Sequence, residues 1–325
     1  MVTLALAGDT MLGRKVGERL AAAPRAPLFD GGVREALATA DLVMVNLECC
    51  ISDRGERWPD PDKPFFFRAP PVAAQVLADL GVGVVTLANN HALDFGPTAL
   101  LDTCAHLDEV GIRWVGAGRD RDAARRPVTI EVAGRRIGIV GASDHPLDFA
   151  AGARRPGIAW WEPATTDWVD ATVARLAGEV DVLVATPHWG PNMTTTPGHR
   201  IRTAASRLVA AGAALVAGHS AHVFHGAAWD SATGPPVLFD LGDFIDDYAV
   251  DPALRNDLGL VWFVRFDGAR ITAIEALPIA LDYCFTRVAD PAEYRWIRRR
   301  LTAACAEFGT TVEDRGGRLG ILPAA

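Results

Sequence analysis

Side chains that commonly bind divalent metals follow several apolar runs of this sequence. Asp9 comes directly after the run LALAG, and other runs lead into Glu48, Asn90, His91, His188 and His219. Carboxylate oxygen, amide oxygen and imidazole nitrogen together suit manganese, iron or zinc. The spacing therefore predicts a divalent metal site whose ligands come from separate segments of the chain.

The distribution of the histidines supports this interpretation. The sequence holds eight histidines, of which five lie at or just after apolar runs: His91, His188, His219, His222 and His225. His106, His145 and His199 fall elsewhere. One buried histidine is usually a satisfied core residue, but five at the ends of apolar runs favour metal binding.

The elements that must position these residues alternate along the chain. Short apolar runs, which predict strands, are separated by segments of helical period, predicted at residues 14–22, 72–80, 98–110, 167–177 and 201–211. Continuous Val, Leu, Ile and Ala runs suit parallel strands covered on both faces. Ligands gather beyond the carboxyl ends of such strands, so we expect the strand-end residues to meet at one edge.

The later part of the chain has a different pattern. PVLFDLGD, GLVWFVRF and RITAIEALPIAL follow one another closely, and Asp267-Gly268 between the last two is a hairpin signal. Residues 291–308 read as a closing helix. We expect two packed sheets with helices outside, in a single domain spanning residues 1–325, because no linker-like stretch divides the chain.

Composition excludes several functional classes. The chain of 325 residues carries 32 Lys and Arg against 40 Asp and Glu, a net charge of −8, which argues against a nucleic-acid partner. No apolar stretch approaches the roughly 20 residues that cross a bilayer, and the amino terminus does not resemble a signal peptide. Five thinly spread cysteines fit reduced thiols. We expect a soluble, cytoplasmic protein without a membrane anchor; the sequence does not indicate an oligomeric state.

The motifs resemble those of a known family. GDTMLGR, VNLE, FRAP, LANNHALDFG, VGAGRD, PHWG, GHSAHV and LGDF occur in the order typical of the CapA family of poly-γ-glutamate capsule synthesis proteins. The resemblance covers residues 4–244. It implies the fold of calcineurin-like metallophosphoesterases, a four-layer αββα sandwich of two mixed sheets with outer helices. Residues 245–325 would complete that fold with antiparallel strands and a carboxyl-terminal helix.

The resemblance also implies a first metal position. Asp9 would be the carboxylate of the first motif, Glu48 would stand where these enzymes place the carboxylate that bridges two metals, and His222 would bind the first metal. The sequence departs from the pattern at Met11, where metallophosphoesterases have a histidine. This departure favours one strong metal site over two.

The second metal position is implied by residues from three other motifs. Its ligands would be Asn90, His188 and His219. Two positions near these motifs differ from the family: Asn192 stands where members often carry glutamate after HWG, and Asp243 replaces the usual asparagine of the LGNF-like segment. Both changes alter the charge near the site, and we expect Asn192 to contact substrate.

Further side chains are candidates for catalysis and for substrate binding. The resemblance makes His91 the acid or base beside the metals, since a histidine of near-neutral pKa serves in either role. Asp94, three residues on, is a candidate to orient that ring. Arg14 and Arg68 follow two strand-end motifs and could grip a phosphate or carboxylate, or simply be surface arginines.

Three functions remain open on the sequence. The first is metal-dependent hydrolysis of a phosphoester, an amide or an acidic peptide-like substrate, with one or two manganese, zinc or iron ions. The second is metal-assisted epimerisation at a peptide α-carbon, since some relatives of the family resemble peptide epimerases of natural-product pathways. The third is a non-catalytic role in poly-γ-glutamate synthesis. Cys49 and Cys50 follow Glu48, and a thiolate there would be a further ligand or acid-base group.

Overall fold

The strands and helices come from a computed structural model, which describes residues 1–230 and 234–324. The strands of these residues are β1 (Val2–Thr10), β2 (Leu42–Leu47), β3 (Cys50–Ile51), β4 (Arg68–Ala69), β5 (Val82–Thr86), β6 (Arg113–Val115), β7 (Ala117–Gly118), β8 (Val128–Val132), β9 (Arg135–Ser143), β10 (Gly157–Ile158), β11 (Val182–His188), β12 (Leu215–Ala217), β13 (Ala227–Ala228), β14 (Val237–Leu238), β15 (Asp243–Ile245), β16 (Leu258–Asp267), β17 (Arg270–Asp282), β18 (Phe285–Val288), β19 (Thr311–Asp314) and β20 (Leu319–Leu322). The helices are α1 (Arg14–Ala22), α2 (Gly31–Leu37), α3 (Val72–Asp79), α4 (Gly96–Glu109), α5 (Arg121–Ala124), α6 (Trp168–Ala177), α7 (His199–Ala210) and α8 (Pro291–Ala306).

Two large mixed sheets form the frame of the molecule. The first has the order β19-β20-β17-β16-β1-β2-β5-β6, with β15 added to β1 and β18 to β17. Its β1, β2, β5 and β6 are parallel, whereas β16, β17, β20 and β19 are antiparallel. The second sheet has the order β13-β14-β12-β11-β9-β8, parallel from β14 to β9 and antiparallel at both edges.

Alternation of side chains along β1 shows how the layers stack. Leu4 and Leu6 point into the core between the sheets, where they share an apolar cluster with Ile139 of β9. Ala7 points the other way, into a cluster that includes Leu77 of α3. A third cluster joins α6 and α7 to the outer face of the second sheet. The order is helix, sheet, sheet, helix, which confirms the predicted four-layer αββα sandwich; the single-domain assignment stays a prediction.

Most elements lie where the apolar pattern predicted them. Helices predicted at 14–22, 72–80, 98–110, 201–211 and 291–308 are found within two residues at each end, and the hairpin at Asp267-Gly268 joins β16 to β17. PVLFDLGD behaves differently from the antiparallel strands with which it was grouped. Its two ends form β14, parallel to β12, and β15, parallel to β1. Residues 239–242 between them therefore cross from one sheet to the other.

That crossing fixes the geometry at the end of β1. Asp9 pairs with Asn46 of β2 on one side and with Asp243 of β15 on the other, and the register shifts between Ala7 and Asp9. The Asp9 N–H donates to the carbonyl of Gly242 at 2.9 Å. A Cβ on Gly8 would lie 1.8 Å from that same oxygen, so only glycine allows the approach. Bulges of this kind commonly re-aim side chains near active sites.

Among residues 1–230 and 234–324, no helix is both long and apolar enough to cross a membrane.

Candidate metal centre

Strand ends from both sheets converge on one buried cluster. The first sheet supplies Asp9 at the end of β1 and Glu48 after β2, and the second supplies His188 at the end of β11 and His219 after β12. His188 Nδ1 lies 2.8 Å from His219 Nδ1, and His219 Nδ1 lies 3.9 Å from Asp9 Oδ1. All four residues are at most 1% exposed. Residues from distant parts of the chain thus meet where the carboxyl ends of the two sheets face each other.

Asp9 lies at the centre of this cluster. Its oxygens form one possible metal-binding triad with His188 and His219 and a second with His222 and Asp243, with the ligand atoms of each triad within 4.8 Å of one another. His222 Nδ1 is 3.2 Å from Asp9 Oδ2 and 2.9 Å from Asp243 Oδ1. The carboxylate common to both triads is therefore Asp9, whereas the family resemblance implied a bridging role for Glu48.

Glu48 lies beside the triads, next to His91. Its Oε1 is 4.0 Å from His91 Nε2, and its Oε2 accepts a hydrogen bond of 3.3 Å from the Asn46 amide. Asn46 also donates to Asp9 Oδ1 at 2.7 Å, and Asn89 donates to Asn46 Oδ1 at 2.8 Å. The sequence analysis missed both asparagines as site residues. A polar Asn46 inside the buried run LVMVNL is the signal that could have revealed the first of them.

Several buried polar atoms at this site have no hydrogen-bond partner in the described part of the chain. They are Glu48 Oε1, Asn90 Oδ1, His188 Nε2 and Asp243 Oδ2. Leaving a buried polar atom unpaired costs about 1–3 kcal/mol, more for a charged group. Carboxylate oxygens, an amide oxygen and an imidazole nitrogen are the donor types that hold manganese, iron or zinc. The side chains present fit a divalent cation.

Burial shifts the pKa values of two carboxylates of the cluster upward and those of two histidines downward. Burial raises the pKa of Glu48 well above its usual range, and Asp9 adds to the effect. Burial also raises the pKa of Asp243 well above its usual range, although the nearby His222 opposes this. Burial lowers the pKa of His219 to about 4 and puts that of His188 well below its ordinary value. Both imidazoles are therefore neutral at neutral pH, the form that binds metals.

Hydrogen bonds and an ion pair hold the His91 ring in place. Of the residues that form them, only Asp94 was predicted from the sequence. Its Nδ1 lies 2.6 Å from Asp94 Oδ2, an oxygen that also accepts the Phe67 N–H at 2.6 Å. Lys63 Nζ pairs with Asp94 Oδ1 at 3.1 Å and donates to the Asn90 carbonyl at 2.8 Å. Burial lowers the pKa of His91, and Asp94 partly offsets this. Asp94 thus fixes the ring with Nε2 toward Glu48.

Arg14 lies beside the cluster, against aromatic rings. Its Nε pairs with Asp247 Oδ2 at 3.2 Å, and its guanidinium is 5.1 Å from the Phe65 ring centre and 6.0 Å from that of Tyr248. The Tyr248 ring packs edge-on to His222 at 5.3 Å. Arg14 Nη1 is buried without a partner among the described residues, so one donor is free for a ligand.

Arg68 and Asn192, the other two residues predicted to contact substrate, differ from Arg14 in their surroundings. Arg68 donates to the Arg54 and Gly55 carbonyls at 3.3 and 3.4 Å and stacks on Phe95 at 4.1 Å, contacts that belong to a neighbouring turn. Asn192 is exposed in the loop after β11. The residue following it donates its N–H to the Ala221 carbonyl at 2.9 Å, which ties this loop to the GHSAH segment.

Met11, a departure from the family pattern, and the two cysteines that follow Glu48 are all buried. Met11 is 1% exposed and packs in the apolar cluster that also holds Ala7 and Leu77. Its side chain offers no imidazole to a metal. Burial raises the pKa of the Cys49 thiol to about 12, and Cys50 Sγ donates to the Phe67 carbonyl at 3.4 Å. At neutral pH Cys49 is a protonated thiol, which disfavours the thiolate hypothesis.

The fold and the strand-end cluster define a four-layer αββα protein with ligand-type side chains where its two sheets meet. A hypothetical protein from Thermus thermophilus has a similar fold, with a TM-score of 0.51 and 15% identity, over 85% of this chain and 98% of that one. The chain belongs to the family of bacterial capsule synthesis proteins PGA_cap, whose family model matches residues 3–248. The expected CapA-family membership is thereby confirmed.

Two relatives extend over nearly the whole chain. A probable polyglutamine synthesis accessory protein of Mycobacterium tuberculosis is 32% identical over all of this chain and 97% of its own length. The PGA biosynthesis protein CapA of Bacillus subtilis is 26% identical over 97% of this chain and 81% of its own length.

Proposed function

We infer that this protein is a metal-dependent enzyme that hydrolyses a phosphoester or amide bond in an acidic, peptide-like substrate. The observation that carries this proposal is the position of Asp9, whose carboxylate is shared by two buried triads beside unpaired ligand-type atoms. The names of the relatives support a substrate from polyglutamate metabolism. A small acidic substrate suits the free donor of Arg14.

The residues divide the work of the site. Asp9, His188, His219, His222 and Asp243 would hold one or two divalent ions, with Glu48 and Asn90 adjacent. A bound ion supplies polarisation of a substrate oxygen and activation of water.

His91 would move the proton. Its Nδ1 is fixed by Asp94 and its Nε2 points into the cluster, so Nε2 is the atom that would give a proton to the leaving group or take one from it. Arg14 would bind an anionic group of the substrate through Nη1.

Reconstitution of the full chain tests the proposal. Chelated protein is loaded with manganese, zinc or iron, its metal content is measured, and hydrolysis of bis(4-nitrophenyl) phosphate and of oligo-γ-glutamate is followed. We expect metal to restore cleavage of one of the two compounds. Asp9→Asn should abolish activity and reduce bound metal, while His106→Asn should change neither, because His106 lies in the last turn of α4 and pairs with Glu109. A wild-type protein that takes up no metal would contradict the proposal.

Epimerisation at a peptide α-carbon is the second candidate, favoured by one specific contact. Glu48 and His91 face each other at 4.0 Å, and their pKa values are shifted in opposite directions, so an acid and a base lie side by side. Deuterium uptake from heavy water into a peptide without cleavage would identify this activity. Metal uptake with neither activity would indicate a non-catalytic role in synthesis.

The cytoplasmic location stays a prediction.

A further inference from the structure

Residues 53–67 form a loop beside the candidate metal centre. They contain no helix or strand and lie between β3 and β4, which pair with each other, so the chain returns to the place where it left the strands. Compact loops whose two ends lie close together are frequently functional. We call this segment the 53–67 loop.

The 53–67 loop is attached at three points to one neighbouring turn. The Trp58 N–H donates to the Asp94 carbonyl at 2.8 Å, and the Phe67 N–H donates to Asp94 Oδ2 at 2.6 Å. Between these points, Lys63 Nζ lies 3.1 Å from Asp94 Oδ1 and donates to the Asn90 carbonyl at 2.8 Å. The middle attachment is made by a side chain and the other two by backbone N–H groups, so a substitution can remove the middle one alone.

Lys63 places a positive charge next to a buried carboxylate. Asp94 is fully buried, and its Oδ1 has no hydrogen-bond partner in the described part of the chain. Its Oδ2 lies 2.6 Å from His91 Nδ1 and orients that ring. A buried carboxylate that loses its cation is strongly destabilised. Without the ammonium of Lys63 we therefore expect Asp94 to move or the 53–67 loop to open, and either change would release the His91 ring.

Aromatic rings hold the ammonium of Lys63 in this position. Its Nζ is 5.3 Å from the ring centre of Phe149 and 5.9 Å from that of Phe66, and Trp58 packs edge-on to Phe149 at 4.9 Å. The Lys63 side chain is 12% exposed. Exposed ion pairs contribute little, but this one is largely enclosed, so its charge acts on Asp94 with little screening by solvent.

The 53–67 loop contacts two groups to which the proposed function gives a role. Phe67 lies edge-on to His91, with ring centres 4.3 Å apart, and the His91 side chain is only 7% exposed. Phe65 of the same loop lies 5.1 Å from the guanidinium of Arg14. Opening of this loop would therefore expose the His91 ring and alter the surroundings of Arg14.

We propose that Lys63 is a positioning residue, whose ammonium keeps the 53–67 loop closed and holds Asp94 in the orientation that fixes the His91 ring. The inference rests on the proposed function in one respect, that His91 moves a proton in the reaction. The contacts of Lys63 with Asp94 and Asn90 do not depend on that role.

Four variants of the full chain test this role. Lys63→Met keeps the length of the side chain and removes its charge and its donors. Lys63→Gln removes the charge but keeps an amide donor, and it takes the place of Lys63→Met if that variant does not fold. Lys63→Arg keeps the charge. Lys15→Met is the matched control, because Lys15 is the only other lysine and pairs with the exposed Glu18.

Two measurements are made on each variant, after thermal unfolding has shown that it is folded. The first is the rate at which diethyl pyrocarbonate modifies His91, followed by mass spectrometry of peptides, with the exposed His199 as internal reference. The second is kcat and KM for whichever of the two hydrolysis substrates the metal-loaded protein cleaves. The modification rate is measured on chelated protein as well.

We expect Lys63→Met to raise the modification rate of His91 about tenfold, because modification of a covered ring follows the population of the open loop. We expect kcat to fall about 10- to 100-fold with little change in KM, since a displaced ring impairs the reaction more than substrate binding. Lys63→Arg should recover most of both values, and Lys15→Met should match the wild type.

A wild-type modification rate of His91 in folded Lys63→Met or Lys63→Gln would overturn the proposal. So would a Lys63→Arg variant that behaves like Lys63→Met, because a cation would then not be what this position requires. In an active enzyme, a rise in KM without a fall in kcat would also contradict it. The modification rates need no turnover, so a failure of the proposed function, seen as a wild-type protein without hydrolysis, is recognised separately.

Discussion

Substituting alanine for Gly8 should damage the metal centre without touching any of its side chains. The new Cβ would lie 1.8 Å from the Gly242 carbonyl oxygen, whereas real contacts of this kind stay above 3.0 Å, so the two segments must separate by more than 1 Å. That movement breaks the 2.9 Å hydrogen bond from Asp9 to Gly242. We expect a loss of about 2–4 kcal/mol in the free energy of unfolding, from overpacking and from the lost hydrogen bond.

The same shift should also affect function. Asp9 belongs to both triads, and Asp243 follows Gly242 directly, so both move relative to His188. A displacement of about 1 Å in a catalytic constellation can reduce the rate roughly 100-fold.

Urea unfolding and manganese titration of the purified variant measure the two effects. Gly31→Ala is the matched control, because a Cβ there meets nothing within 4 Å and its helical position tolerates alanine. Wild-type metal affinity and stability in Gly8→Ala would refute the reasoning, since the close approach of β1 and the crossing segment would then not position Asp9.

Three further changes test other parts of the structure. Asp94→Asn removes the charge that pairs with the nearly buried Lys63 and orients the His91 ring. If His91 moves the proton as proposed, we expect turnover to fall about 10²- to 10⁴-fold and stability by roughly 3 kcal/mol, measured by steady-state kinetics and urea unfolding. Leu301→Ala in α8 should cost about 2–5 kcal/mol in the same unfolding assay, because Leu301 is fully buried in the core between the sheets. Hydrogen bonds from Arg287 lower the pKa of Glu293, so the unfolded chain takes up that proton first as pH falls. Wild-type stability should exceed that of Glu293→Gln above about pH 5 and lose this advantage below the ordinary glutamate pKa of about 4.3, as unfolding curves at several pH values would show.

The architecture could be predicted where the sequence pattern is local. The run VDVLVATP and the helical period after it suffice for β11 and α7, because each buries a continuous apolar face. Elements that depend on distant partners could not be found in this way. The two-residue strands β3 and β4 exist only because residues 50–51 and 68–69 meet, and β14 and β15 read as one strand until residues 239–242 are seen to cross between sheets.

The residues of the candidate site could likewise be predicted only where a local sequence pattern places them. Ligand-type residues that end parallel strands lie at the carboxyl edge, and this rule alone predicts that Asp9, His188 and His219 lie near one another. The run RIGIVGA is followed by Ser143, Asp144 and His145 in the same way, so the sequence also held a signal that His145 lies near the cluster, where its ring centre is 5.0 Å from that of His188. Lys63 had no such signal, since only the folding of residues 53–67 over the site brings its ammonium to Asp94.

The balance of charge at the centre supports the proposal that it binds a cation. Asp9, Glu48, Asp240 and Asp243 are each at most 1% exposed, and His222 is the imidazole whose pKa their proximity raises despite its burial. One imidazolium does not neutralise four buried carboxylates, so burial raises the pKa of Glu48, Asp240 and Asp243. Without a positive partner these carboxyl groups are either charged at a cost or protonated, and apolar side chains of similar size would fill the same space at lower cost. A divalent ion would supply positive charge there and would offer a partner to the unpaired oxygens of Glu48 and Asp243. The cluster is thus suited to metal binding and poorly suited to a packing role.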